Sequence, residues 1–297
     1  MEFGYPSPTW SEGQAGEAIP QDEGGFDEPQ TISISTAFNP ESQPTEPDLI
    51  FSSSDYVLFY VDMKTVAKAC PPAFQSAISA SLPIVPIQET SLVLNVMLHV
   101  LYGTSCARHS PAFETLVSAV DHMHLYDISP AAHITASSHT YATLIAFAPI
   151  FPLQLYTLAG HHHLYELAVP TSSHLLSYPF SSISDEAAQR MGWLYLKRLF
   201  DLHTNRFNAL KEMLLRPPYP HSPTRECTFA DQTGLTRGWA LVSAYLAWDA
   251  RADLSTHSIK LAFNPLIEEL TCQLCRGSME DNLQDIVERW ACVRRTI

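Results

Sequence analysis

The chain has 297 residues, room for about two domains at roughly 150 residues each, and its 46% hydrophobic content supplies a sizeable core. Its formal charge of −14 is uneven: residues 1–47 carry nine acidic side chains and no Lys or Arg, so the remainder is close to balance. No basic stripe is left to neutralise phosphates, which argues against direct nucleic-acid binding, and six cysteines at irregular spacing exclude a disulfide scaffold.

Residues 1–47 contain seven prolines and few core-forming side chains. They are expected to be a disordered acidic lead, because such a segment cannot bury enough apolar surface to offset its ordering entropy. Within it, Thr31-Ile32-Ser33-Ile34-Ser35 alternates with a strand period, which leaves an extended coil or a strand added to a sheet edge. The lead has no basic start followed by an apolar run, so a reducing, intracellular location is the expectation, with nucleus and cytoplasm not distinguished.

Order is expected from Asp48. Leu49-Ile50-Phe51 and Val57–Val61 flank the turn-rich Ser52–Tyr56, a hairpin signature. Lys64–Ala69 and Pro72–Ser79 read as short helices separated by Cys70-Pro71. Ile84-Val85-Pro86-Ile87 reads as a strand whose proline favours a sheet edge. Ser91–Tyr102 is apolar on nearly every side, with Asn95, His99 and Gly103 as its one polar line, so a buried helix is predicted. Phe113, Leu116, Val117 and Val120 make the apolar stripe of an amphipathic helix. Helices at about 130–146, 153–168 and 185–215 follow. Residues 128–165 contain no charged side chain, and Tyr141–Gly160 has about the 20 residues a bilayer span needs. Pro149, Pro152 and Gln154 in its middle, and the lack of any Lys or Arg between Arg108 and Arg190, favour buried helices over a span. Arg216–Pro223 holds four prolines in eight residues and marks the clearest boundary. Helices at about 236–250, 265–275 and 279–294 are expected beyond it. The last has Met279, Leu283, Ile286, Val287 and Trp290 on one face, with Ser278 and Asp281 as start signals.

This series resembles the BTB/POZ domain. Asp48–Val61 is similar to that family's opening strand, S-S-D-G-type turn and F-x-V strand, with Tyr56 where glycine is usual and Asp62 where a His commonly follows. Ala69-Cys70-Pro71-Pro72-Ala73-Phe74 is similar to its A-S-P-x-F turn. Leu101-Tyr102-Gly103 ends the expected buried helix, and His124-Leu125-Tyr126-Asp127-Ile128 is similar to the segment joining the last two helices. A further likeness is to BTB/POZ proteins abundant in mushroom-forming fungi, carried by Leu155–Gly160, Tyr165–Ala168 and the later C-x-x-C. The resemblance covers roughly residues 48–295. It implies an α+β, predominantly helical chain: a BTB/POZ-like domain at 48–146, a helical BACK-like region at 147–216, a Pro-rich linker at 217–235 and a C-terminal helical region at 236–297. It also implies a non-catalytic scaffold or adaptor that binds protein partners and self-associates. Members that recruit cullin-3 often carry a hydrophobic-x-Glu motif; Ile78-Ser79-Ala80 lacks the acid, so the likeness does not extend to that partner.

Cys272-x-x-Cys275 is the most chemically suggestive spacing. Two thiolates on one turn supply half of a four-ligand zinc site, with Cys227, His221 or Cys292 available to complete it; the competing reading is small buried hydrophobes at a helix end. A redox role would want a βαβ setting, which the pattern lacks. His161-His162-His163 reads as a polar patch or helix-end cap, since neighbours on a helix diverge by about 100°. With no G-x-S-x-G, P-loop, G-x-G-x-x-G or H-E-x-x-H motif, no catalytic residue and no cofactor beyond zinc is expected. The alternatives to a BTB/POZ-type interaction module are a zinc-stabilised scaffold acting in transcription or chromatin through protein partners, and a membrane-embedded protein anchored by 141–160.

Overall fold

The computed structural model describes residues 32–42, 46–69 and 84–297. The lead up to residue 31, the Cys70-Pro71 break, the helix expected at Pro72–Ser79 and the Ile78-Ser79-Ala80 segment lie outside them.

Leu49–Ser52 (β2) and Val57–Val61 (β3) form the expected antiparallel hairpin, with Phe51 opposite Phe59. Tyr56 takes φ 61, the left-handed conformation that glycine adopts more easily. Ser53 holds the turn, its carbonyl accepting from Tyr56 N at 3.1 Å and its hydroxyl from Val57 N at 3.0 Å. Val85–Pro86 (β4) pairs parallel with β2 at one edge, where a proline is tolerated.

The opposite edge corrects the expected boundary of the lead. Ser33–Ile34 (β1) lies parallel to β3, giving the order β1-β3-β2-β4. Ser35 N donates to Leu58 O at 2.8 Å and Tyr60 N to Phe38 O at 2.8 Å. Phe38 is 3% exposed, its ring edge-on to His99 and Tyr102. One aromatic anchor and the free edge of β3 therefore order residues whose composition alone suggested coil.

Met63–Ala69 (α1) follows β3. Ser91–Tyr102 (α2) and Phe113–His122 (α3) pack together, burying Val93, Leu94, Val96 and Met97 of one and Phe113, Leu116 and Val120 of the other. The turn of the β-hairpin is tied to α2 by Asp55, whose carboxylate accepts from Ser91 N at 2.8 Å and Ser91 Oγ at 2.6 Å. Pro130–His133 (α4) and His139–Ile145 (α5) split the helix expected at 130–146. Pro152–His161 (α6) and Tyr165–Ser172 (α7) likewise split the one expected at 153–168. The uncharged stretch is thus broken into short helices, of which α6 is largely buried and α4 and α5 are mostly exposed or half-buried, and among the described residues no helix is long and apolar enough to cross a bilayer.

Asp185–Leu214 (α8) is interrupted at Gly192, whose φ of 78 and ψ of 156 lie outside the helical region. Its opening half crosses α6 at Gly160, where an added Cβ would sit 2.6 Å from the Met191 carbonyl oxygen. Met191, Tyr195, Leu199 and Leu202 complete a core that begins at the sheet and passes through α2, α3, α6 and α7. This one core runs through the expected segment 48–146 and, as far as Leu202, through the expected segment 147–216. Leu210, Met213 and Leu214, farther along α8, belong to a second core with the last three helices.

Those helices begin earlier than expected. Phe229–Trp248 (α9) starts inside the expected linker at 217–235, because Thr228 and Asp231 form a capping box in which Thr228 N donates to the Asp231 carboxylate at 2.8 Å. Thr256–Glu269 (α10) is capped by Ser255, which accepts from Ser258 N at 3.0 Å, and Pro265 sits inside it instead of opening it. Gln273–Cys292 (α11) starts at Cys272; Ser278, expected at the start, lies one turn inside and donates to the Tyr219 carbonyl at 3.1 Å. Met279, Leu283, Ile286 and Trp290 are buried as their spacing predicts. The molecule is α+β and mostly helical, with a small mixed sheet.

Candidate metal centre

The Pro-rich segment does not simply span a gap; it returns to α11. Cys227 is held in a tight turn, its N–H donating to Thr224 Oγ1 at 3.0 Å and its carbonyl accepting from Thr224 N at 2.9 Å. Ser278 and Asn282 of α11 bind the Tyr219 and Arg216 carbonyls at 3.1 and 3.0 Å, fixing the approach of residues 216–221. Cys272 occupies the N-cap of α11 and Cys275 its first turn.

These constraints gather His221, Cys227, Cys272 and Cys275, whose ligand atoms all lie within 4.8 Å of one another. Cys227 Sγ is 3.7 Å from Cys275 Sγ, and Cys272 Sγ is 3.3 Å from His221 Nε2. Cys227 and Cys275 are buried, with the other two half-buried. His221 Nδ1 lies 2.7 Å from the Ser222 carbonyl. A carbonyl only accepts, so Nδ1 carries the proton and Nε2 offers its lone pair toward the sulfurs. This is the outer-shell bond that orients a ligating imidazole.

The electrostatics separate the thiols. The N–H of Cys275, and with it that of Leu274, draws Cys272 down to about 7, as expected for a sulfur at a helix start. Burial, joined by the neighbouring sulfurs, pushes Cys275 up to about 12, and burial, with Cys272, raises Cys227 against the lowering contact from Cys275. Three sulfurs and one imidazole nitrogen in this arrangement can hold a metal ion.

Of the five residues singled out from sequence, Cys272, Cys275, Cys227 and His221 meet here. Cys292, the alternative ligand, ends a 20-residue helix that starts beside Cys272, so it stands about 30 Å away. Cys106 is buried in the first core. Among the described residues no disulfide is present.

The triple histidine does more than form a polar patch. The helix ends at His161, so His161 and His162 are not fixed at helical divergence. With Asp121 they make a second cluster of ligand atoms within 4.8 Å of one another. No protein-family model, curated protein or solved structure matches the chain.

Proposed function

We propose that this chain is a non-catalytic protein-interaction scaffold of BTB/POZ type, self-associating through its sheet-bearing part, with its C-terminal helices held by structural zinc. The observation that carries the interaction reading is the hairpin of Leu49–Val61 with α2 and α3 paired beside it and β4 at the edge. Order and contents resemble that domain, and such a body acts through helices and strand edges offered to partners. Leu241, Tyr245 and Trp248, exposed at i, i+4 and i+7 on α9, add apolar surface of the kind interfaces use.

The zinc reading is carried by donor chemistry. Ions bound at about 2.3 Å to sulfur and 2.0–2.1 Å to nitrogen in a tetrahedron hold their ligands about 3.8 Å apart (sulfur to sulfur) and about 3.5 Å apart (sulfur to nitrogen). The observed 3.7 and 3.3 Å lie close to those edges. Four protein ligands leave no open position for substrate, which is the structural rather than the catalytic form.

Two measurements test these readings separately. Sedimentation equilibrium of the full chain across a wide concentration range is expected to show reversible self-association, and a strict monomer throughout overturns it. Elemental analysis is expected to find tightly held zinc, and Co²⁺ substitution to give a thiolate charge-transfer band. Chelation should then melt the helices after residue 210 well below the sheet-bearing core, because binding energy at such sites is folding energy. Metal-free protein whose melting is unchanged by chelator removes the zinc reading.

A further inference from the structure

Where α3, α6 and α8 meet, Asp121, His161 and His162 bring a carboxylate oxygen and one nitrogen from each imidazole within 4.8 Å of one another. Asp121 stands in the last turn of α3. His161 closes α6, and His162 is its C-cap, with φ −96 and ψ 9. That departure from helical geometry lets chain neighbours converge, their ring centroids 4.7 Å apart. The His162 side chain is 8% exposed, and its Nε2 lies 2.7 Å from Asp121 Oδ1. Arg190 of α8 serves the cluster twice. Its guanidinium holds Asp121 Oδ2 at 2.5 Å, and its carbonyl accepts from the His161 ring.

Two imidazoles and one carboxylate are the donor set that zinc and its neighbours in the first transition row accept. Outer-shell bonds to a backbone carbonyl and to the far carboxylate oxygen are how such ligands are held in place. We propose that Asp121, His161 and His162 form a second metal site, specific for a divalent borderline cation such as zinc, with three protein ligands and the remaining coordination positions filled by water. The ion would pin the end of α3 to the end of α6. The site belongs to the sheet-bearing core and does not depend on the thiolate cluster.

Arg190 distinguishes this from a plain ion-pair network. In a network, its positive charge stabilises Asp121, and losing it loosens the junction. At a metal site the same charge opposes the incoming cation, while the carbonyl that orients His161 belongs to the backbone and survives substitution.

The test is titration of the full chain with Zn²⁺ against a chromophoric chelator, with Co²⁺ spectra in parallel. A second equivalent is expected, weaker than the first and without a thiolate band. His161→Ala, at an exposed position, and His162→Ala should each abolish that equivalent and leave the thiolate band intact. Arg190→Gln should tighten it roughly tenfold, the scale of removing one unit charge a few ångströms away in a partly exposed site. Absence of this equivalent, its survival in both histidine variants, or weaker binding in Arg190→Gln overturns the proposal. A single equivalent lacking the thiolate band supports this site and sinks the Cys/His reading; a single equivalent carrying the band does the reverse.

Discussion

His99 and Arg206 show what polar groups cost and contribute in this core. His99 is 8% exposed; Nδ1 lies 2.7 Å from Thr104 Oγ1, and Nε2 has no partner among the described residues. Burial, with His109 beside it, holds its pKa down to about 4. An unfolded histidine titrates near 6.5, so between pH ~6.5 and 4 the unfolded state binds a proton that the folded state refuses. Stability is therefore full above the unfolded value and lost as pH falls through that window. Urea unfolding at pH 7, 5.5 and 4.5 should show this slope, and His99→Gln should flatten it. Part of the slope will remain, because burial also lowers His133 and His203. Arg206, 1% exposed, donates to the Ala252, Val293 and Arg294 carbonyls at 2.6, 2.8 and 3.0 Å and lies 4.2 Å over the Trp290 ring. Arg206→Met strands three carbonyls and should cost roughly 3 kcal/mol in the same assay. Arg206→Lys should fare little better, since an ammonium lacks the planar fork.

Between elements, α6 comes so close to α8 at Gly160 that backbone rather than a flexible side chain blocks a Cβ. Gly160→Ala is expected to destabilise by about 1–2 kcal/mol despite its better helix propensity, because overpacking outweighs it. Gly234→Ala, open around its Cβ on α9, should instead raise the melting temperature. Elements whose burial follows from their own sequence were legible: α2 was bounded correctly by an apolar run ending at Gly103, and β2 and β3 were marked by short apolar and aromatic runs around a polar turn. Those fixed by caps or distant partners were not. The helix expected at about 265–275 instead runs over Thr256–Glu269, because Ser255 caps it ten residues earlier. Thr228 and Asp231 spell a capping box that the preceding prolines obscured. At the metal centre the Cys-x-x-Cys spacing was readable, whereas choosing His221 over Cys292 required knowing where a proline-rich return path ends. Of the Asp121 cluster, the histidine run was visible in the sequence, but its convergence on Asp121 was not, since it depends on α6 stopping at His161 and on α3 lying alongside.

At the scale of the whole molecule, two cores are joined along one element, residues 193–214 of α8, about 33 Å long. Leu199 and Leu202 belong to the first core, Leu210 and Leu214 to the second. The two clusters divide the same way. The thiolate set closes the second core, and the Asp121 set lies at the rim of the first. A metal bound at either one acts on local helix ends, while Arg206, midway along α8, ties both halves through the carbonyls it collects.

The two-residue strand Ser33–Ile34 has a practical corollary for anyone trimming the acidic lead. A chain started at Asp48 would lose Phe38 from beneath the α2 ring cluster and bare the backbone of Val57–Val61 along its length. Unpaired strand edges recruit other strands. Such a truncation is expected to come out of expression largely insoluble or as high-mass species on gel filtration, whereas one started at residue 30 should stay in solution.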